Sequence, residues 1–125
     1  MIDHLELTVA DLPRSTAFYA GALAPLGYRL RVPAPAPSLG FGSAPDRLDF
    51  WLRAGAAATP LPHFAFACAT RAEVARAHAA AVQAGGQDAG APALLAHIHP
   101  SYFAAFVLDP DGHKVEFVCH AVNDG

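Results

Sequence analysis

The sequence predicts an α+β fold made of two successive β-α-β-β-β units. Three observations carry that prediction. First, two short strand-like runs open on a histidine, His4-Leu5-Glu6-Leu7-Thr8-Val9 and His63-Phe64-Ala65-Phe66-Ala67-Cys68. Each is followed by a helix-like stretch and then a glycine at the matching position, Gly27 and Gly86. Second, Leu48-Asp49-Phe50-Trp51-Leu52 matches Val115-Glu116-Phe117-Val118-Cys119, which sets Asp49 opposite Glu116. Third, residues 54–62 are rich in Ala, Gly, Thr and Pro and lack periodicity. They read as a linker between a first module, 1–53, and a second, 63–125, inside one compact domain.

Residues 2 to 9 alternate. Leu5, Leu7 and Val9 point one way and His4, Glu6 and Thr8 the other, so one face packs on a helix and the other lines a cleft. Asp11 caps a helix over 12–24, with Pro13 in its first turn and Phe18 and Leu23 among its buried anchors. Pro25 and Gly27 stop it. Residues 28–32 read as a strand, the prolines at 33, 35 and 37 as an extended loop, 39–42 as a short strand and 47–52 as a stronger one. In the second unit Thr70 and Glu73 have capping-box spacing, and Val74, Ala77, His78, Ala81 and Val82 form the helix stripe. Gly85-Gly86 ends that helix. Strands follow at 87–91, 102–108 and 114–120, the last two joined by the turn Asp109-Pro110-Asp111-Gly112. The second unit also carries an insertion, His97-Ile98-His99-Pro100-Ser101-Tyr102.

Formal net charge is −3, which gives no basic surface for nucleic acid. No apolar run reaches membrane-spanning length, and an alternating strand begins at the second residue. The expected setting is cytoplasmic, with no membrane partner. Cys68 and Cys119 fit no metal-ligand spacing and read as buried thiols.

Three stretches resemble the vicinal oxygen chelate superfamily, the glyoxalase / bleomycin-resistance / extradiol-dioxygenase fold. They are the opening run through Asp11-Leu12-Pro13-Arg14-Ser15-Thr16-Ala17-Phe18-Tyr19, the start of the second unit at His63-Phe64-Ala65-Phe66, and Asp109-Pro110-Asp111-Gly112-His113-Lys114-Val115-Glu116-Phe117. The resemblance implies paired βαβββ modules curved into a half-barrel around a cavity. In the metal-dependent members, ligands come from the first and last strands of each module. By position these are His4, His63 and Glu116, with Asp49 in a fourth slot that holds Glu or Gln in glyoxalase-like members. The implied cofactor is a divalent transition metal: Fe, Mn, Ni, Co or Zn. Two imidazoles with one or two carboxylates suit any of these. Side-chain direction agrees, since each candidate lies opposite the more apolar face of its strand.

The resemblance further implies a metal-dependent lyase, isomerase or dioxygenase acting on a small molecule held through adjacent oxygens. In such chemistry a carboxylate, here Glu116 or Asp49, takes a proton from carbon. His99 and Tyr102 in the insertion are further catalytic candidates, with structural hydrogen bonding as their other reading. Trp51, Tyr28 and Glu6 are candidates for the substrate pocket. The competing function is a metal-free small-molecule or drug-binding protein that uses Trp51, Tyr28 and Asp49 as contacts. The alanine-rich helices and the short chain favour a homodimer. His78 is assigned to helix packing, and His113 and His120 to solvent.

Overall fold

Alternation fixes which face of each strand is buried. In β1 (Leu5–Val9) Leu7 and Val9 are buried and Glu6 is exposed, as the pattern requires. The structure, a computed structural model, describes residues 2–56 and 61–122; within the predicted linker, 57–60 lie outside the described residues. Helix α1 (Leu12–Leu23) starts at Asp11, whose side chain accepts a hydrogen bond from the Arg14 N–H at 3.1 Å. It buries Phe18, Tyr19, Ala22 and Leu23 and runs into a 3-10 turn, Ala24–Leu26, closed by Gly27 at φ 80°. That left-handed conformation suits glycine. Strands β2 (Arg29–Val32), β3 (Ser38–Ala44) and β4 (Arg47–Ala54) complete a sheet of order β1-β4-β3-β2, with β1 parallel to β4.

The second unit repeats the plan. It comprises β5 (His63–Ala67), α2 (Arg71–Gln83), β6 (Gln87–Leu94), β7 (Phe103–Leu108) and β8 (Lys114–Cys119), in the sheet order β5-β8-β7-β6. The fold is α+β, two βαβββ modules. Thr70 caps α2 by accepting from the Glu73 N–H at 3.1 Å. The Glu73 carboxylate reaches back to the Ala69 N–H at 3.2 Å, one residue before the cap. Strand β6 contains Pro92, which an edge strand tolerates, and its register on β7 shifts on both sides of Gly90. No helix among the described residues is long and apolar enough to cross a membrane.

One core joins the two modules. The Phe50 ring packs on Phe64 and Phe66, with centroids 5.9 and 5.2 Å away, and on Tyr19 at 4.8 Å. The helices approach so closely that a Cβ added at Gly21 would lie 2.9 Å from the Ala84 Cβ. The apolar face of the first sheet is covered by α1 and that of the second by α2, and the two helices pack on each other, so the candidate ligands lie on the sheet faces turned away from the helices.

The two parallel strand pairs differ in register. Leu5 stands opposite Phe50, so His4 and Asp49, each one residue earlier, are neighbours. By the sequence match Phe64 should face Phe117, yet it faces Val115. A slide of two residues keeps every side chain on its face, but it sets Glu116 opposite Ala65.

Several expectations are corrected. His113 is fully buried (0% exposed) rather than solvated, because its ring nitrogen Nδ1 lies 2.8 Å from the buried Asp109 carboxylate. Val82, placed on the helix stripe, is 40% exposed. His78 pairs with Asp88 at 2.9 Å instead of packing only on apolar neighbours. The cysteines, by contrast, are buried and free as expected.

Candidate active site

Glu116 lies on the interior strand β8 and is only 4% exposed. Its Oε1 sits 3.0 Å from His63 Nε2, and its Oε2 accepts a hydrogen bond from the Tyr102 hydroxyl. A carboxylate oxygen accepts, so in this pair His63 Nε2 is the donor. The His63 side chain is half exposed, with the Phe106 ring tilted beside it at 6.2 Å. Tyr102 is set in place by the inserted loop, which is closed by Leu95 N–H to Tyr102 C=O at 2.7 Å and Tyr102 N–H to His99 C=O at 3.0 Å. The bond to Glu116, more than burial, pushes the Tyr102 phenol up to about 12.

The first module holds the counterpart. Tyr28 donates to Asp49 Oδ2 at 2.8 Å, while Asp49 Oδ1 is buried without a hydrogen-bond partner among the described residues. Burial, then the bond to Asp49, pushes the Tyr28 phenol up to about 12. Its ring stands edge-on to Phe66 at 6.0 Å. His4 is exposed, and its Nδ1 contacts the Asp3 carboxylate at 2.8 Å. A groove of about 530 Å³ is lined by His4, Tyr28, Asp49, His63, Ala65 and Phe66, among others. The two histidines therefore rim one groove.

Of the four candidate ligands, His63 and Glu116 are in contact, whereas His4 contacts Asp3 and Asp49 contacts Tyr28. Among the described residues, no three His, Cys, Asp or Glu side chains lie close enough to hold one ion. The donor chemistry fits a divalent transition ion; the number of donors converging within one chain does not.

The other candidates are placed as follows. The Trp51 indole N–H bonds to the Leu48 C=O at 3.0 Å, and its ring lies on Gly40, where an added Cβ would be 2.7 Å from it. Glu6 accepts from the Ser38 hydroxyl at 2.9 Å and pairs with Arg53 at 3.6 Å, an anchor across the outer sheet face. His99 Nδ1 accepts from the Ser101 N–H at 3.2 Å. A backbone N–H is always a donor, so the neutral ring presents Nε2–H outward. His99 stands edge-on to His120 at 5.9 Å, and Tyr102 stands edge-on to the same ring at 5.3 Å. The sequence assigned His120 to solvent; it is exposed, but it also buttresses Tyr102. Its position on the Glu116 face, four residues on, was the available signal.

A model of the Glyoxalase/Bleomycin resistance protein/Dioxygenase superfamily matches residues 1–117. The chain belongs to this superfamily. Among solved structures, it is similar to a glyoxalase/bleomycin resistance protein from Albidiferax ferrireducens T118, at 24% identity and TM-score 0.77, covering 94% of this chain and 96% of that one. A superfamily enzyme from Burkholderia phytofirmans PsJN superimposes at TM-score 0.72 with 15% identity, covering 96% and 98%. A glyoxalase I mutant from Zea mays is 25% identical at TM-score 0.67, covering 94% of this chain and 46% of that one. No curated protein matches the chain.

Proposed function

We propose that this protein is an enzyme of the superfamily that acts on a small molecule through adjacent oxygens, with His63, Glu116 and Tyr102 as its chemical centre. The observation that supports this is the buried Glu116, held by an imidazole at one oxygen and a phenol at the other. A carboxylate shielded from water is suited to take a proton from carbon next to a carbonyl. The Tyr102 hydroxyl is suited to donate to the oxygen where negative charge gathers, and the His63 ring to orient the carboxylate.

A divalent transition ion would need His4 beside His63 and Glu116, with Asp49 as a supporting contact. A homodimer in which His4 and Asp49 of one copy meet the His63–Glu116 pair of another supplies them, and their place on the sheet faces turned away from the helices favours that assembly. When bound, the ion would polarise the substrate oxygens. We place the protein in the cytoplasm, in keeping with its free cysteines. The two modules are assigned to residues 1–53 and 63–125.

A metal-free binding protein is the second reading. It is favoured by the fact that Glu116 and Asp49 already engage tyrosines and that, among the described residues, no three donors converge. Metal analysis of protein purified without chelator, with light scattering and an activity screen on methylglyoxal–thiol adducts and catechols, separates the two. The enzyme reading expects a dimer carrying a transition ion that is lost in His63→Ala and Glu116→Ala. A metal-free, inactive monomer would leave the binding reading.

A further inference from the structure

Cys68 and Cys119 are the only cysteines of the chain, and the strand pairing of the second module sets them side by side. The parallel β5–β8 ladder matches Phe66 with Phe117 and Ala67 with Val118. It continues one step past β5, where the Cys68 N–H donates to the Val118 C=O at 2.7 Å. In a parallel ladder that bond places Cys68 opposite Cys119. Both side chains share the helix-facing side with Phe66 and Phe117 and pack in the core. The Cys119 thiol leans toward β5, its Sγ 3.6 Å from the C=O of Ala69, the residue after Cys68.

Neighbouring strands run about 4.8 Å apart. A disulfide spans Cα separations of roughly 4.4–6.8 Å, so this pairing meets its backbone requirement without rearrangement. Both residues lie at strand ends: β5 stops at Ala67 and β8 at Cys119. Strand ends open at the lowest cost. Cys68 is 8% exposed and Cys119 is closed to water. Burial pushes the Cys68 thiol up to about 12. The resting pair is therefore fully protonated near neutral pH and reacts slowly.

We infer that Cys68 and Cys119 form a redox-modification site, a thiol pair that a peroxide closes into an intramolecular disulfide and a thiol reductant reopens. Cys68, the more exposed, reacts first. Its sulfur takes one oxygen of hydrogen peroxide, the O–O bond breaks, and the other oxygen leaves as water. The Cys119 sulfur then attacks the Cys68 sulfur; the S–S bond forms and the sulfenic oxygen leaves as a second water. The two thiols together give up two electrons and two protons, and the peroxide is reduced. The bond would lie on the core side of the same strand pair that holds His63 against Glu116 on its other face. Oxidation thereby fixes the first and last strands of the second module to each other. This inference does not depend on whether the protein is an enzyme or a binding protein.

The test treats the folded, full-length protein with millimolar hydrogen peroxide, then denatures it and labels free thiols with N-ethylmaleimide. Far-UV circular dichroism confirms that the protein stays folded during oxidation. Labelling should fall from both cysteines to neither and return to both after dithiothreitol. Peptide mapping should find Cys68 joined to Cys119, and a non-reducing gel should show a single-chain species. Cys68→Ala and Cys119→Ala, each with one thiol left, should give no cross-linked peptide and no reversible single-chain product with a disulfide. Full labelling after peroxide overturns the inference, as does a disulfide that forms only in urea. Loss of labelling through irreversible sulfinic acid, or through disulfides between chains, overturns it as well.

Discussion

Tyr19 and Asp109, 90 residues apart, meet in a buried hydrogen bond that fastens α1 to the turn between β7 and β8. The Asp109 carboxylate also accepts from the backbone N–H groups of Asp111 and His113, at 3.0 and 2.8 Å, and from the His113 ring. Asp111 in turn accepts from the Ala10 N–H at 3.3 Å. The turn of the second module is thus tied to the first at two points.

Removing the Tyr19 hydroxyl leaves a buried carboxylate oxygen short of a donor. Tyr19→Phe should destabilise the protein by about 1–3 kcal/mol. Urea unfolding should show a lower midpoint with an unchanged slope. An unaltered midpoint would mean that the bond contributes nothing.

All three tyrosines of the chain donate to carboxylates, and all three phenols are raised, Tyr28 and Tyr102 to about 12. Unfolded phenols ionise near pH ~10. A raised folded value means that the protonated form is favoured by folding. The associated stability is fully present below pH ~10 and is lost as pH rises through about 12. Phenolate absorbance should therefore be slight at pH ~10 in native protein and near half-maximal in urea. Equal curves in the two conditions would contradict these contacts.

Gly86 is needed for space rather than for backbone conformation. A Cβ there would lie 2.5 Å from Val107 Cγ2 and 2.6 Å from Phe18 Cε1. Gly86→Ala should cost about 1–3 kcal/mol, the range for overpacking a core. A thermal melt as high as the native one would show that the junction yields freely.

Asp49 is shorter than the residue its slot usually holds and is already bonded to Tyr28. On the proposed metal-dependent reading, Asp49→Ala should weaken ion binding by about 10- to 100-fold, as loss of a supporting contact does, while Glu116→Ala should abolish it. Co²⁺ titration of both variants decides. Complete loss in each would make Asp49 a direct ligand.

What could be read in the sequence was whatever periodicity and turn chemistry control. Alternation placed Leu7, Val9, Phe50 and Phe117 inside, and Asp11 and Thr70 marked the helix starts. The strand register was hidden, because a slide of two residues leaves the alternation unchanged. The matched glycines also misled in part: Gly27 takes a positive φ, but in the second unit it is Gly85 that does so, at 106°. His113 looked solvated because a turn sequence does not show that Asp109 folds back beneath it. The tyrosine contacts were out of reach for a related reason. Tyr28 and Asp49 are 21 residues apart, and nothing local couples them.

Trp51 is the only tryptophan, and its ring lies against Gly40 on the outer face of the first sheet, the face that also carries Asp49. The protein therefore contains an intrinsic optical probe at a single known place. Any partner or ligand that covers this face removes water from one indole only, so a blue shift in emission reports coverage of that sheet without an added label.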